Sequence, residues 1–397
     1  MDFDLSGRSE AWLEKLQAFF DQEVLPRHRA WLTHVAKGEA APFMGDLQRK
    51  ARAAGLWNLC LPELADDEPG TRLSNLEYAP LAEIMGRLFW APEVFNCQAP
   101  DVPNMIALQN CATSEQKARW LQPLLEARTR SAFGMTEPDV ASSDATNIAT
   151  RMVRDGDDYV INGRKWFITG AAHPRCSFLI VMGVTDSGAD RTGRHSCIIV
   201  PMETPGVRLV RRLRWMGCED HVAPIGELAF DNVRVPRANL LGAEGEGFKL
   251  ALRTLDIFRA SVAAAALGFA RRAADEALSH AKERPMFGGM LADLQLAQAK
   301  LAEMAVAIDA AALLTYRAAW LRDVKGVRTT KEAAMAKWTA TESAQEVIDA
   351  AVQMFGALGV TRGQTVERLY REIRALRIYE GATDVQKLVV ARELLRR

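Results

Sequence analysis

The spacing of hydrophobic positions changes character twice along the chain. From residue 9 to about 130, Trp12, Leu16, Phe20 and Val24 recur every fourth position, which predicts an amphipathic helix. Residues 47–55 read as a helix stopped by Gly55, and Ser114-Glu115-Gln116-Lys117 opens another. Between about 131 and 238 the pattern breaks into short β-prone runs separated by Gly, Asp and Pro. These are Tyr159-Val160-Ile161, Phe178-Leu179-Ile180-Val181, Cys197-Ile198-Ile199-Val200, 228–230 and 233–235. After Phe248 helical spacing returns. Leu294, Ala297, Leu301, Met304 and Ile308 alternate steps of three and four, and Ala333, Ala336, Ala340, Ala344, Val347, Ala351 and Met354 form a second stripe whose small side chains permit close helix packing. The expected organisation is mainly α with a central β domain: an N-terminal helical domain (1–130), a middle β domain (131–238) and a C-terminal helical bundle (239–397).

Composition narrows the function. A chain of 397 residues, 49% hydrophobic, can bury the cores of two or three units of about 150 residues each. Lys plus Arg equals Asp plus Glu at 50 each, so no overall field draws nucleic acid or an anionic membrane to the molecule. Arg208, Arg211, Arg212 and Arg214 make one local basic run, read as a solvated strand face or as a local surface for an anionic ligand or partner. Cysteines 60, 97, 111, 176, 197 and 218 form no C-x-x-C and the histidines no H-x-x-x-H, so reduced thiols and no metal site are expected. No run reaches the ~18 apolar residues of a membrane span, and the acidic start Met1-Asp2-Phe3-Asp4-Leu5 is unlike a leader; a cytoplasmic protein is expected. The glycines of 242–247 do not match G-x-G-x-x-G and read as a linker between β domain and bundle.

Two segments carry candidate chemistry. Ile378-Tyr379-Glu380-Gly381-Ala382-Thr383-Asp384 sets one carboxylate among apolar neighbours beside a glycine. Desolvation of such a carboxylate raises its pKa from about 4.3 towards the range useful for taking a proton from carbon. By itself the segment reads as a solvated or capping helix end, and only a second constellation overturns that. The second constellation is Phe133-Gly134-Met135-Thr136-Glu137-Pro138-Asp139-Val140-Ala141-Ser142-Ser143-Asp144, followed by Gly163-Arg164-Lys165-Trp166-Phe167-Ile168-Thr169-Gly170. With Glu283-Arg284-Pro285-Met286-Phe287-Gly288, these segments resemble the acyl-CoA dehydrogenase family in order and spacing over nearly the whole chain.

The resemblance implies a helical domain, a β-barrel-like middle domain and a C-terminal four-helix bundle, with FAD as cofactor. It implies that Glu380 removes the α-proton of an acyl-CoA thioester while the flavin takes the β-hydride, a role no side chain can fill. Met135, Thr136, Ser143, Trp166 and Thr169 would hold the isoalloxazine ring, Thr169 towards its N5 side. Arg284, Phe287, Gln295, Gln353 and Gly356 would grip the adenosine half of a neighbouring subunit's FAD, the guanidinium of Arg284 forking onto the pyrophosphate, so a homodimer or homotetramer is expected. Ser143, Asp256, Arg259, Gly381 and Arg392 are the implied substrate contacts, and an electron-transferring flavoprotein the implied acceptor.

The chain departs from the pattern in two places. The stretch Asp139-Val140-Ala141-Ser142-Ser143-Asp144 is one residue longer than in most members, which leaves Ser142 and Ser143 both open as the contact residue, and Ala382 stands where many have Thr. Flavin monooxygenases, nitroalkane oxidases and a desulfinase share the fold, and fold alone does not choose among these chemistries. A DNA-associated flavoprotein would need a basic face that the balanced charge does not supply.

Overall fold

The computed structural model describes residues 4–186, 188–217 and 224–396; Cys218 lies outside them. The chain opens with α1 (Gly7–Phe19), α2 (His28–Ala36), α3 (Met44–Ala53), α4 (Asn75–Gly86), α5 (Ala91–Val94), α6 (Asp101–Cys111), α7 (Ser114–Gln116) and α8 (Gln122–Leu125). The β region follows as β1 (Arg130–Gly134), β2 (Arg151–Asp155), β3 (Asp158–Ile168), β4 (Cys176–Val184), β5 (His195–Pro201), β6 (Val207–Leu213), β7 (Ile225–Pro236) and β8 (Leu240–Leu241). Then come α9 (Gly247–Glu283), a hairpin of β9 (Pro285–Met286) and β10 (Gly289–Met290), α10 (Gln295–Lys325), α11 (Thr330–Phe355), α12 (Thr365–Leu376) and α13 (Thr383–Leu395).

Leu16, Phe20 and Val24 are all buried. A four-residue repeat drifts around a helix of about 3.6 residues per turn, and the wider π turn at Phe20–Val24 takes up that drift. The two apolar runs at 228–230 and 233–235 belong to one strand, β7. Strands β2 and β6 carry no apolar run because they leave most of their residues in contact with solvent, and β1, though enclosed, is Arg130-Ser131-Ala132-Phe133-Gly134 and mostly small or polar.

The eight-stranded sheet runs β6-β7-β3-β2-β4-β5-β8, with β1 parallel to β4. Alternation along β4 and β5 explains their unbroken apolar runs. Phe178, Ile180, Met182, Cys197 and Ile199 face a core shared with the helices, whereas Leu179, Val181, Ile198 and Val200 face the core inside the β domain. The shared core also takes Leu81 and Met85 from α4, Ile106 from α6, and Phe258 and Val262 from α9. Helix α9 therefore belongs to two cores at once, since Leu267 and Ala270 pack with Ile308 of α10, Ala340 of α11 and Ile373 of α12 in the bundle. Helix α10 is long and apolar enough by length and composition to cross a bilayer, and Met304, Ile308, Ala311 and Ala312 on it are buried in the bundle.

A buried ion network fastens the first helices to the sheet. Arg130 at the start of β1 pairs with Glu93 at 2.7 Å and Asp101 at 2.5 Å, and Asp101 also accepts the Ser131 amide at 2.7 Å. Its consequence is positional, because β1 delivers the chain directly to Met135. Helices α4 and α9 cross with their backbones in contact: a Cβ on Gly86 would lie 2.2 Å from the Ala265 carbonyl oxygen, and one on Gly268 would lie 2.1 Å from that of Glu83. Gly268→Ala is therefore expected to destabilise by about 1–3 kcal/mol or more through overpacking, read as a lower urea midpoint at unchanged m-value.

Candidate functional site

Glu380 lies in the turn between α12 and α13, and its backbone is unusual. Glu380 has φ +56° and Gly381 φ +88°, two successive left-handed residues. For a glutamate that conformation costs about 1–2 kcal/mol, so surrounding contacts must hold it. Arg259 Nε from α9 donates to the Glu380 carbonyl at 3.2 Å, and Gln386 Nε2 from α13 donates to the same carbonyl at 3.0 Å and to that of Gly381 at 2.8 Å. Lys337 Nζ from α11 donates to the Gly381 carbonyl at 2.9 Å. Three helices thus grip two consecutive carbonyls. A Cβ on residue 381 would come within 2.4 Å of Gln386 Nε2, so the grip as well as the positive φ requires glycine there.

The turn frees the side chain. Glu380 Oε2 is sealed from solvent and has no hydrogen-bond partner. Burial pushes the Glu380 carboxyl above its ordinary value, against the opposing charges of Arg259 and Lys337. Arg259, buried at 4% exposure, is held by Asp256 at 3.4 Å. Asp256 is itself buried and accepts from Thr330 Oγ1 at 2.8 Å and Arg328 Nη2 at 3.2 Å. Among these groups the sequence singled out Glu380, Gly381, Arg259 and Asp256. Lys337 and Gln386 escaped notice because a lysine in an alanine-rich helix and a glutamine in a terminal helix ordinarily face water.

The flavin-type segments meet through backbone. The Trp166 amide donates to the Thr136 carbonyl at 3.0 Å, which sets Met135 and Thr136 against β3. Glu137 locks this junction: it accepts from Lys165 Nζ at 2.7 Å, the Thr150 amide at 2.9 Å and the Ala149 amide at 2.8 Å, while Lys165 also donates to the Met135 carbonyl at 2.9 Å. Burial lowers Lys165 to about 8 despite Glu137. Burial acts upward on Glu137, but the Lys165 charge and the amide donors outweigh it and hold the carboxyl below its usual range. The two sides differ because Lys165 is wholly enclosed while Glu137 gains two extra donors; both are charged at neutral pH.

Trp166, Thr136, Met135 and Thr169 are half-buried, leaving surface for a ligand, whereas Ser142 and Ser143 are both exposed on the loop ahead of Asp144. Trp215, beyond the end of β6, packs against Tyr379 with ring centroids 6.3 Å apart and planes tilted by 35°, so the β domain reaches the turn that carries Glu380. Met135 and Tyr379 both pack on the margin of the shared core. Trp215 was missed in the sequence because it follows a basic run that reads as surface. In that run Arg211 pairs with buried Glu227 at 2.6 Å, while Arg208, Arg212 and Arg214 are exposed.

The remaining residues lie elsewhere. Arg284, Phe287, Gln295, Gln353 and Gly356 are all exposed, at the end of the bundle where α9 stops, α10 starts and α11 stops. Phe287 and Gly288 turn the β9–β10 hairpin with φ +51° and +82°, which projects the Phe287 ring 90% exposed. His280 stacks on Phe355 at 4.1 Å and joins the ends of α9 and α11. Sixteen residues of α11 separate Lys337 from Gln353, about 24 Å along the helix at 1.5 Å per residue. Arg392 is exposed on the last turn of α13.

Family models for the N-terminal, middle and C-terminal domains of acyl-CoA dehydrogenases match residues 7–128, 132–233 and 245–395. The chain belongs to the acyl-CoA dehydrogenase family. The chain is 42% identical to the probable acyl-CoA dehydrogenase FadE2 of Mycobacterium tuberculosis, covering all of this chain and 98% of that protein. It is 41% identical to mouse acyl-CoA dehydrogenase family member 10, covering 96% of this chain but only 36% of that longer protein. Among solved structures, an acyl-CoA dehydrogenase homologue from Mycobacterium abscessus superposes with a TM-score of 0.93 at 42% identity, covering 99% of each chain. Butyryl-CoA dehydrogenase from Megasphaera elsdenii does so with 0.87 at 31% identity over the whole of both. The protein is thus an FAD-binding oxidoreductase of the acyl-CoA dehydrogenase family. The half-buried faces of Trp166, Thr136 and Thr169, backed by the Glu137–Lys165 lock, suit a flat, partly polar ring.

Lys165→Met leaves the Glu137 carboxylate buried without its cation and is expected to cost about 3–5 kcal/mol, measured by urea denaturation. Glu137 titrates below its unfolded value. Its contribution is therefore complete above that value and is lost as pH falls through the folded pKa, so the wild-type advantage over the variant should shrink on acidification.

Proposed function

We propose that this acyl-CoA dehydrogenase introduces an α,β double bond into a saturated acyl-CoA, with Glu380 as the base that takes the α-proton. The observation that carries the reading is the sealed, unpartnered Oε2 of Glu380, held on a left-handed turn. A carboxylate without a hydrogen-bond donor has full basicity to spend on a substrate proton, and its raised pKa brings that basicity closer to neutral. Met135, Thr136, Ser143, Trp166 and Thr169 would hold FAD, which would supply the acceptor for the hydride that leaves the β-carbon. The same turn leaves the Glu380 amide without a backbone acceptor among the described residues, free to donate to a thioester oxygen as enolate charge develops. Arg259 and Asp256 sit behind the base, with Gly381 and Arg392 as further substrate-side positions.

The second flavin-binding group, Arg284, Phe287, Gln295, Gln353 and Gly356, stands about 24 Å along α11 from the base's neighbourhood, which favours service to the cofactor of a second subunit. Met286, Met290, Leu296, Leu358 and Val360 add exposed apolar surface around it. The assembly is then a homodimer or a homotetramer, and an electron-transferring flavoprotein is the acceptor of the electrons.

Anaerobic mixing of the yellow protein with saturated acyl-CoAs of graded chain length tests the reaction. Bleaching of the visible flavin absorbance by one length class is expected, with a rate that rises with pH through a carboxyl pKa above the ordinary value. Glu380→Gln should slow bleaching about 10²- to 10⁴-fold while FAD stays bound; unaltered bleaching would remove Glu380 from the role. Arg284→Ala combined with Phe287→Ser should release FAD during gel filtration and lower the apparent mass. Full flavin content at unchanged mass would count against a cofactor shared between subunits.

A further inference from the structure

Lys337 is fully buried on α11 between Ala333, Ala336 and Ala340, an apolar setting in which an ammonium group loses its hydration. Among the described residues no carboxylate lies within ion-pair distance of its Nζ. The charged groups that face it are Glu380 in the α12–α13 turn, Glu342 on α11 itself, Arg259 on α9 and Arg377 at the end of α12. Glu342 is already engaged, by Arg377 at 2.6 Å and by Thr383 Oγ1 at 2.5 Å. Arg259 is likewise shared between Asp256 and the Glu380 carbonyl.

The hydrogen bond that Lys337 makes does not require a charge. The Gly381 carbonyl already accepts from the neutral Gln386 amide at 2.8 Å, closer than the 2.9 Å of Lys337 Nζ. A neutral side chain of similar length would therefore fill this site at less desolvation cost. What a neutral side chain lacks is a field on Glu380, whose carboxylate has Arg259 and Lys337 as opposing charges among the described residues. Resting on the reading of Glu380 as the base, we propose that Lys337 is its positioning residue, gripping the Gly381 carbonyl while its buried positive charge keeps the Glu380 carboxylate ionised and aimed from the left-handed turn.

The sign follows directly. Loss of a neighbouring cation favours the protonated carboxyl, so the acid limb of flavin reduction moves to higher pH. Lys337→Met and Lys337→Gln holoenzymes, reduced anaerobically across pH by an acyl-CoA that bleaches the wild type, should show that limb raised by about one unit. Below the limb, reduction should be roughly tenfold slower, with a much smaller loss at the alkaline end. Lys337→Arg, which restores charge and donor, should bring the limb back. An unmoved limb in a neutral variant that still holds flavin overturns the proposal, as does a loss of equal size at every pH. Failure of both neutral variants to fold also overturns it, since a positioning residue is dispensable for folding. If no acyl-CoA bleaches the wild type, the dehydrogenase reading fails separately. Difference infrared titration of the Glu380 carboxyl then tests the electrostatic link alone, with a pKa higher in Lys337→Met expected and an equal one contrary to it.

Discussion

The structure of the site depends on one backbone constraint, the pair of left-handed residues Glu380 and Gly381. A helix-to-helix turn of ordinary φ would send the residue 380 side chain elsewhere, and nothing local in a glutamate favours φ +56°. The conformation persists because Arg259, Lys337 and Gln386 arrive from α9, α11 and α13 and bond the two carbonyls that the turn exposes. The long helices of the bundle are thus the frame that makes one carboxylate available. The bundle's alanine stripes serve the same end, since close packing of α9 and α11 lets arginine and lysine side chains from two helices reach a single turn.

The other half of the site is built on a different principle. The loop that follows β1 is secured by a charge, Glu137, which spends both oxygens on Lys165 and on two amides ahead of β2. Upstream, Arg130 with Glu93 and Asp101 fixes the strand that leads into it. Buried pairs of this kind add little net stability against apolar replacements, but they define one arrangement because any alternative leaves a charge stranded. The two halves meet because strands β4 and β5 and helix α9 contribute to one core, with Met135 and Tyr379 at its edge and Trp215 packed against Tyr379.

Surface features divide by place. Around Glu380 the polar side chains of Arg259, Lys337 and Gln386 are enclosed and bonded to the turn's carbonyls, whereas the hairpin end of the bundle projects Phe287 and a set of aliphatic side chains into solvent. An isolated exposed leucine is unremarkable on a folded protein, but a phenylalanine held out on a rigid two-residue turn is costly unless something covers it.

Periodicity alone was enough to locate the helical, β and helical regions, because core-facing residues must repeat at the spacing of their element. Motif order was enough to name the family, because the segments around Thr136, Trp166 and Glu380 keep its order and spacing. The strands β2 and β6 were hidden, since exposed strands carry no apolar signature, and the joining of 228–230 with 233–235 into β7 depended on pairing with β3. Tertiary structure alone decided that Glu380 is left-handed and unpartnered, that Asp256 stands buried behind Arg259, and that Lys337, Gln386 and Trp215 converge on the same turn. Their separation along the chain conceals that convergence. A residue type records what chemistry is available, and only the packing of distant elements determines which groups lose water and meet.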